Sequence, residues 1–299
     1  MKAVKSRKIN FRKAKESDCR QLMRLFNAQY LRKKDLSYFL WQYFKPYWPT
    51  ILMVACASNQ IIGTFGMVKR ELNNGLVAGQ AIDLLIAPKW RGRGVFRELG
   101  KRVMEEFGNT DLFCSLPNMN GKVACQKAFG WQTVGRIDTL IARADSIALQ
   151  LKGIKDGDNT YIWFDYPPKF CDWRFGENPD YKYTTINFDK DEFTVGKIFI
   201  DPEGGKRFGD IVYVRSKSSD GKQLARVFSK TSSSLRRQKA EWITTWALAH
   251  TRYFPALRSL GFRPIKSQRY FCLAVKAKKN EYLYDFSAWH LVQADCEIF

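Results

Sequence analysis

The stretch Lys89-Trp90-Arg91-Gly92-Arg93-Gly94-Val95-Phe96 sets two glycines and two arginines between an apolar run closed by Pro88 and a long amphipathic stretch that reaches Phe107. A strand that runs into a glycine-rich turn and then a helix suits phosphate binding, because backbone N–H groups and the positive helix end converge on one point. Two familiar forms of that arrangement do not match: there is no third glycine at the dinucleotide-binding spacing and no Gly-Lys-Ser/Thr ending. Other chemistries find less material. Seven cysteines at irregular spacing without a Cys-x-x-Cys pair, and only two histidines (His250 and His290), support neither a disulfide framework nor a zinc site. No metal ligands are expected, and both histidines read as structural residues. Free thiols among apolar neighbours act as small buried hydrophobes and point to a reducing cytoplasm.

The elements that must carry this loop can be read from periodicity and turn chemistry. Asn10 to Lys15 reads as a strand, Ser17-Asp18 as an N-cap, and Cys19 to Tyr30 as a helix with Leu22, Leu25 and Phe26 on one face. Leu36 to Phe44 reads as a second helix, aromatic on most sides, of the kind that forms core or the wall of a cleft. Three strands follow, Ile51 to Ala57, Ile61 to Arg70 and Val77 to Ala87, joined by Asn-rich turns. Beyond the loop and its helix come a strand at Asp111 to Leu116, a helix at Asn120 to Phe129 and a strand pair around Gln132 to Ala142. The succession is β-α-α-β-β-β-α-β-α-β, an α+β fold with a mixed, mostly antiparallel central sheet flanked by helices.

Length and charge bound the rest. The 299 residues suit two domains, and 45% apolar content with 22 Phe, 13 Tyr and 9 Trp provides a large core. The longest apolar runs are strand-length, so no membrane span is expected, and no apolar segment of signal-peptide type follows the basic start. Net charge is +21, of which residues 1 to 144 carry +15 (25 Lys and Arg against 10 Asp and Glu). An anionic partner of the first half is implied, whether a CoA pyrophosphate, a nucleotide-linked substrate, an acyl carrier protein, a nucleic acid or an anionic membrane surface.

Arg91-Gly92-Arg93-Gly94-Val95-Phe96 resembles the Gln/Arg-x-x-Gly-x-Gly/Ala signature of the GNAT superfamily of acyl-CoA-dependent N-acyltransferases, with Phe96 where the family has Gly or Ala. Asp83 to Pro88 looks like the family's fourth strand, and Leu116 to Trp131 (LPNMNGKVACQKAFGW) like its second CoA motif, so residues 10 to 143 are covered. The resemblance implies acetyl-CoA or another acyl-CoA as co-substrate. Leu85 and Ile86 would offer backbone groups to the pantetheine arm, and Arg91, Gly92, Arg93, Gly94, Val95 and Phe96 would wrap the pyrophosphate. Asn118 or Asn120 would reach the pantetheine or phosphate side. Asp83 is the candidate base, because family members often place a Glu there and a lone carboxylate in an apolar run is suited to accept a proton. The family's usual Tyr acid is replaced by Gln126, leaving Tyr43, Tyr47 or Cys125 as substitutes, or departure of CoA as thiolate. Cys125 has no histidine nearby in sequence and does not read as a nucleophile.

The second half repeats the first in outline. Tyr161 to Phe164 reads as a strand in a connector over 145 to 170, followed by strands at Phe193 to Ile200 and Asp210 to Arg215, another after Asp220-Gly221, then a helix, Trp242 to Leu248, and a helix at Thr251 to Gly261. It lacks an Arg-Gly-x-Gly loop, so residues 1–145 are expected to form a GNAT domain and 146–299 a degenerate GNAT-like one that shapes the acceptor cleft. The Thr231 to Ser234 run reads as a helix cap, and the Trp173-Arg174 and Trp289-His290 pairs as an aromatic acceptor wall. Similarity to GNAT proteins of bacterial surface polysaccharide synthesis implies a small anionic amine as acceptor, an amino group of a nucleotide-linked sugar. Two other readings keep the fold: a tRNA- or nucleic-acid-binding aminoacyl or acyltransferase, and a non-catalytic GNAT-like binding protein.

Overall fold

The computed structural model describes residues 8–149, 151, 154, 156 and 160–296, so the basic first seven residues and part of the 145–170 connector lie outside it. The first half contains β1 (Ile9–Lys13), α1 (Cys19–Asn27), α2 (Leu36–Phe44), β2 (Thr50–Ala57), β3 (Gln60–Glu71), β4 (Val77–Ile86), α3 (Val95–Phe107), β5 (Leu112–Ser115), α4 (Met119–Phe129) and β6 (Gln132–Arg143). The second contains α5 (Pro168–Cys171), β7 (Tyr183–Asn187), β8 (Phe193–Ile200), β9 (Arg207–Arg215), α6 (Gly221–Arg237), β10 (Trp242–Trp246), α7 (Tyr253–Ser259) and β11 (Arg263–Val275).

These strands form one sheet in the order β1-β2-β3-β4-β5-β11-β6-β10-β9-β8-β7. Its pairs are antiparallel except β4 with β5 and β9 with β10. From β2 onward the succession β-β-β-α-β-α-β occurs twice, and the two copies exchange their last strands. β11 of the second half pairs with β5, and β6 of the first half pairs with β10. The sheet therefore runs unbroken past residue 145.

Packing follows the same exchange. Alternate strand residues face opposite sides, and Ala81 joins the cluster of Val95, Leu99 and Val103 on α3 while Ile82 joins that of Phe26, Phe39 and Tyr43. Leu140 and Ala142 of β6 pack with Leu224, Phe228 and Leu257 of α6 and α7, and Cys272 of β11 packs with the residues under α3 and α4. At about 1.5–3 kcal/mol for a fully buried large apolar side chain, each half draws part of its core from the other.

Several local expectations are corrected. The first helix stops at Asn27, and Asp18 makes no side-chain cap but pairs with Arg12 at 2.6 Å. Gln132 to Ala142 is one long strand, because its partners β10 and β11 come from the second half. No strand follows Asp220-Gly221: the Asp220 side chain accepts from Lys222 N and Gln223 N and starts α6 there. Thr231 consequently lies inside α6, its hydroxyl donating to the Val227 carbonyl at 2.8 Å and 2.7 Å from that of Thr194. Tyr161 to Phe164 makes only isolated bridges, from Ile162 to Trp289 and from Phe164 to Leu72.

A fragment that stops at residue 149 lacks β11, and one that starts at residue 160 lacks β6. Each is expected to lack a cooperative melt when expressed alone, and the two together to regain one, followed by circular dichroism. A stable cooperative melt of either fragment by itself would count against the exchange.

Candidate active site

Pairing of β4 with β5 runs from Ala78 opposite Leu112 to Ala81 opposite Ser115 and stops. Beyond that point the β5-facing edge of β4 has no strand partner. On the other edge β4 bulges: Thr64 stands opposite Leu85 and Gly66 opposite Ile82, so Asp83 and Leu84 share one position of β3. A bulge re-aims a side chain, and Asp83 sits in it with φ +50°, in the left-handed region. The Thr64 hydroxyl holds the Asp83 carbonyl at 2.8 Å. Tyr43 donates to Asp83 Oδ2, and the Tyr38 hydroxyl lies 3.4 Å from the same oxygen. Both tyrosines come from α2, whose other aromatic side chains are anchored: Phe39 edge-on to Phe26 and Trp41 stacked on Trp173 at 4.2 Å.

Where β4 ends, the chain turns through the Arg-Gly-Arg-Gly loop into α3. Gly92 and Gly94 have φ of +73° and +77°, and a Cβ at either would meet nothing within 4 Å, so the loop needs glycine for conformation and leaves room above it. No side chain caps the first turn of α3, whose N–H groups are left for an anion. Arg91 Nε donates to the Ile86 carbonyl at 3.0 Å, tying the loop to the strand end, and the Arg93 guanidinium lies 5.5 Å from the centre of the Trp90 ring. Phe96 does not crowd the cradle. Its ring packs inward at 5.5 Å from Phe65 and 5.4 Å from Phe129. In the second half the matching helix end is filled by the protein: Asp220 caps α6, and Asp156 accepts from Gly221 N at 3.1 Å.

A cavity of about 610 Å³ opens from the gap between β4 and β5 and reaches across to β8 and β9. The α1–α2 loop closes it by contacts with the second half. Lys34 Nζ lies 2.6 Å from Asp180 Oδ2, and the Arg32 guanidinium lies 3.5 Å above the Tyr181 ring. Lys197 and Asp210, both buried, face it from the other side, with Nζ 3.9 Å from Oδ2. Burial pushes the Lys197 ammonium down to about 7 and the Asp210 carboxyl up, each opposed by the other's charge. Lys34 is also pushed down by burial, against the pull of Asp180.

Asp83, Leu84 and Asn118 line this cavity together, and Leu85 and Ile86 lie on the open stretch of β4. Asn118 is also the N-cap of α4, accepting from Gly121 N at 2.9 Å, while Asn120 is exposed. Gln126 is exposed as well, and burial pushes the Cys125 thiol up to about 12. Tyr47 packs on Trp48 and Phe170, outside the residues that line the cavity. The expected aromatic wall does not form: Trp289 is fully buried and Trp173 nearly so, each inside the core. His250 Nε2 donates to the Trp289 carbonyl at 2.8 Å, and burial holds His290 neutral, pushed down to about 3. Sequence reading missed Tyr38, Lys34, Tyr181, Lys197 and Asp210. A signal existed for the last two, since each is a lone charge inside an apolar strand, the pattern that drew attention to Asp83.

No family model matches the chain, and no curated protein matches it. Solved structures do. A GCN5-related N-acetyltransferase from Anabaena variabilis superposes with a TM-score of 0.63 at 15% identity, over 90% of this chain and 73% of that one. One from Kribbella flavida gives 0.62 at 12% identity, over 90% and 71%. The glucosamine N-acetyltransferase region of a fungal multi-domain β-N-acetylglucosaminidase gives 0.59 at 12%, over 91% of this chain and 39% of that one. The chain has the fold of the GCN5-related N-acetyltransferases.

A left-handed residue other than glycine costs roughly 1–2 kcal/mol. Asp83→Gly is therefore expected to be more stable than Asp83→Ala by about 1 kcal/mol in urea denaturation. Equal midpoints would mean that Asp83 is not held in the bulge conformation.

Proposed function

We propose that the chain is an acyl-CoA-dependent N-acyltransferase whose general base is Asp83. The observation that carries this reading is the position of that carboxylate, in the bulge beside the open edge of β4, between an uncapped glycine-lined helix end and a cavity closed by the second half. The open edge offers backbone groups to a pantetheine arm as an added strand would, and the α3 cradle with Arg91 and Arg93 suits a pyrophosphate.

In the proposed reaction the nitrogen of the neutral acceptor amine attacks the thioester carbonyl carbon, and Asp83 takes the one proton that this nitrogen loses as the amide forms. A C–N bond forms, the C–S bond breaks, and the sulfur leaves on CoA. The Tyr38 hydroxyl gives the sulfur a proton and regains one from Asp83, so the count closes. Tyr43 fixes the carboxylate by donating to it. The acceptor is a small anionic amine, with the amino group of a nucleotide-linked sugar as the leading form. The excess of basic residues in the first half supports an anionic substrate or donor.

Asp83→Asn is expected to lower kcat/KM by about 10²- to 10⁴-fold with CoA binding retained. Gly94→Glu, which places charge and bulk in the cradle, is expected to abolish CoA binding in calorimetry. Failure of the unsubstituted protein to bind either CoA or acetyl-CoA would sink the proposal.

A further inference from the structure

The cavity holds a cluster of buried and half-buried charges that acyl transfer, as described, does not use. Lys197 is 1% exposed and lies on β8, register partner of Asp210 on β9. At 3.9 Å the pair is too long for a hydrogen bond. The Thr244 hydroxyl donates to Asp210 at 2.5 Å, and the Lys197 ammonium lies 3.3 Å above the Tyr181 ring that Arg32 also covers. A buried pair of this kind adds little net stability, and apolar residues would serve the fold as well. Arg32, Arg174 and Lys34 are close enough to Lys197 to oppose its charge, and Lys34 is close enough to Asp83 to be favoured by it.

The charges adjoin one another through two rings of the cavity wall. Asp83 meets Tyr38, Lys34 lies 3.5 Å above the Tyr38 ring, and Lys197 and Arg32 share the Tyr181 ring. Once an acceptor amine engages Asp83, the remaining cluster is Arg32, Lys34, Arg174 and Lys197 against Asp180 and Asp210, an excess of two positive charges. A bound oxyanion would offset that excess.

We propose that the acceptor carries an oxyanion, carboxylate or phosphate, at the end away from its amine, and that Lys197 of the second half is the residue that reads it. This inference rests on the acyl-transfer reading and names what that site selects. Lys197 would turn from Asp210 toward the ligand, with Thr244 keeping Asp210 satisfied.

The test uses the full chain. Lys197 is labelled with an amine-reactive reagent and followed by peptide mass spectrometry in inorganic phosphate, in acetate, or in chloride at equal ionic strength. Phosphate or acetate is expected to slow labelling about tenfold relative to chloride, the size of one charge-assisted hydrogen bond, and the anion that does so identifies the oxyanion. Equal labelling in all three, or no labelling because the reagent does not reach Lys197, overturns the proposal.

Two amine pairs differ chiefly in an oxyanion far from the amine: pentylamine with 5-aminopentanoate, and glucosamine with glucosamine 6-phosphate. The charged member is expected to be acylated from acetyl-CoA about tenfold faster in kcat/KM, and Lys197→Met/Asp210→Asn, which removes both charges, to erase the difference through KM. A faster neutral member, or a preference that survives the substitutions, overturns the proposal. CoA calorimetry on both proteins separates the two readings: protection by an anion without CoA binding leaves the anion site standing and removes acyl transfer.

Discussion

Two strands that pair in parallel for four residues and then part leave a backbone edge that no strand satisfies, and the first half is built around that edge. Main-chain polar groups must find partners, and here the Ile86 carbonyl finds Arg91 while the rest of the edge opens on the cavity. The bulge at Asp83, the turn into α3 and the exposed glycines all lie within a dozen residues of the parting. The same parting occurs in the second half, where β9 and β10 pair for four residues from Phe208 opposite Trp242 to Ile211 opposite Thr245. There the protein stops it with its own groups. Arg252 donates to the carbonyls of Ser216 and Ser218, and two carboxylates occupy the start of α6.

One half thus keeps its cradle open and the other has closed it, and the closed half contributes by facing the first. Lys197, Asp210 and Tyr181 wall the far side of the cavity, and the α1–α2 loop spans to Asp180. Charge is distributed in two manners. Around the cradle the arginines are exposed, where their field extends into solvent and is screened by salt. In the cavity the charges are few, buried or half-buried, and close, so each affects its neighbours.

Much of this was legible from residues alone. The bounds of α2 and the end of α3 fell where Pro46 and the amphipathic pattern put them, and the loop announced itself by glycines that only a left-handed turn requires. Asp83 stood out as a carboxylate in an apolar run. The bulge that aims it did not, because a bulge is a mismatch between two strands and leaves no mark on one. The exchange of β6 and β11 was equally hidden: Gln132 to Ala142 reads as a strand pair because nothing local reveals that its neighbours lie more than a hundred residues away. Trp173 and Trp289 were misread for a related reason, since an aromatic residue beside a charged one has the same appearance in a cleft wall and in a core crossed by a buried polar network.

The exchanged strands carry a consequence for how the protein comes into being. β11 begins 120 residues after β6 ends, so on the ribosome the first half waits on the order of ten seconds for its missing strand. During that interval β5 and β6 present raw edges, the kind of surface that recruits other nascent chains or a chaperone. Order of synthesis and order of completion are therefore uncoupled: the first half cannot be finished until β11 has been made, and the cavity between the halves can form only after that.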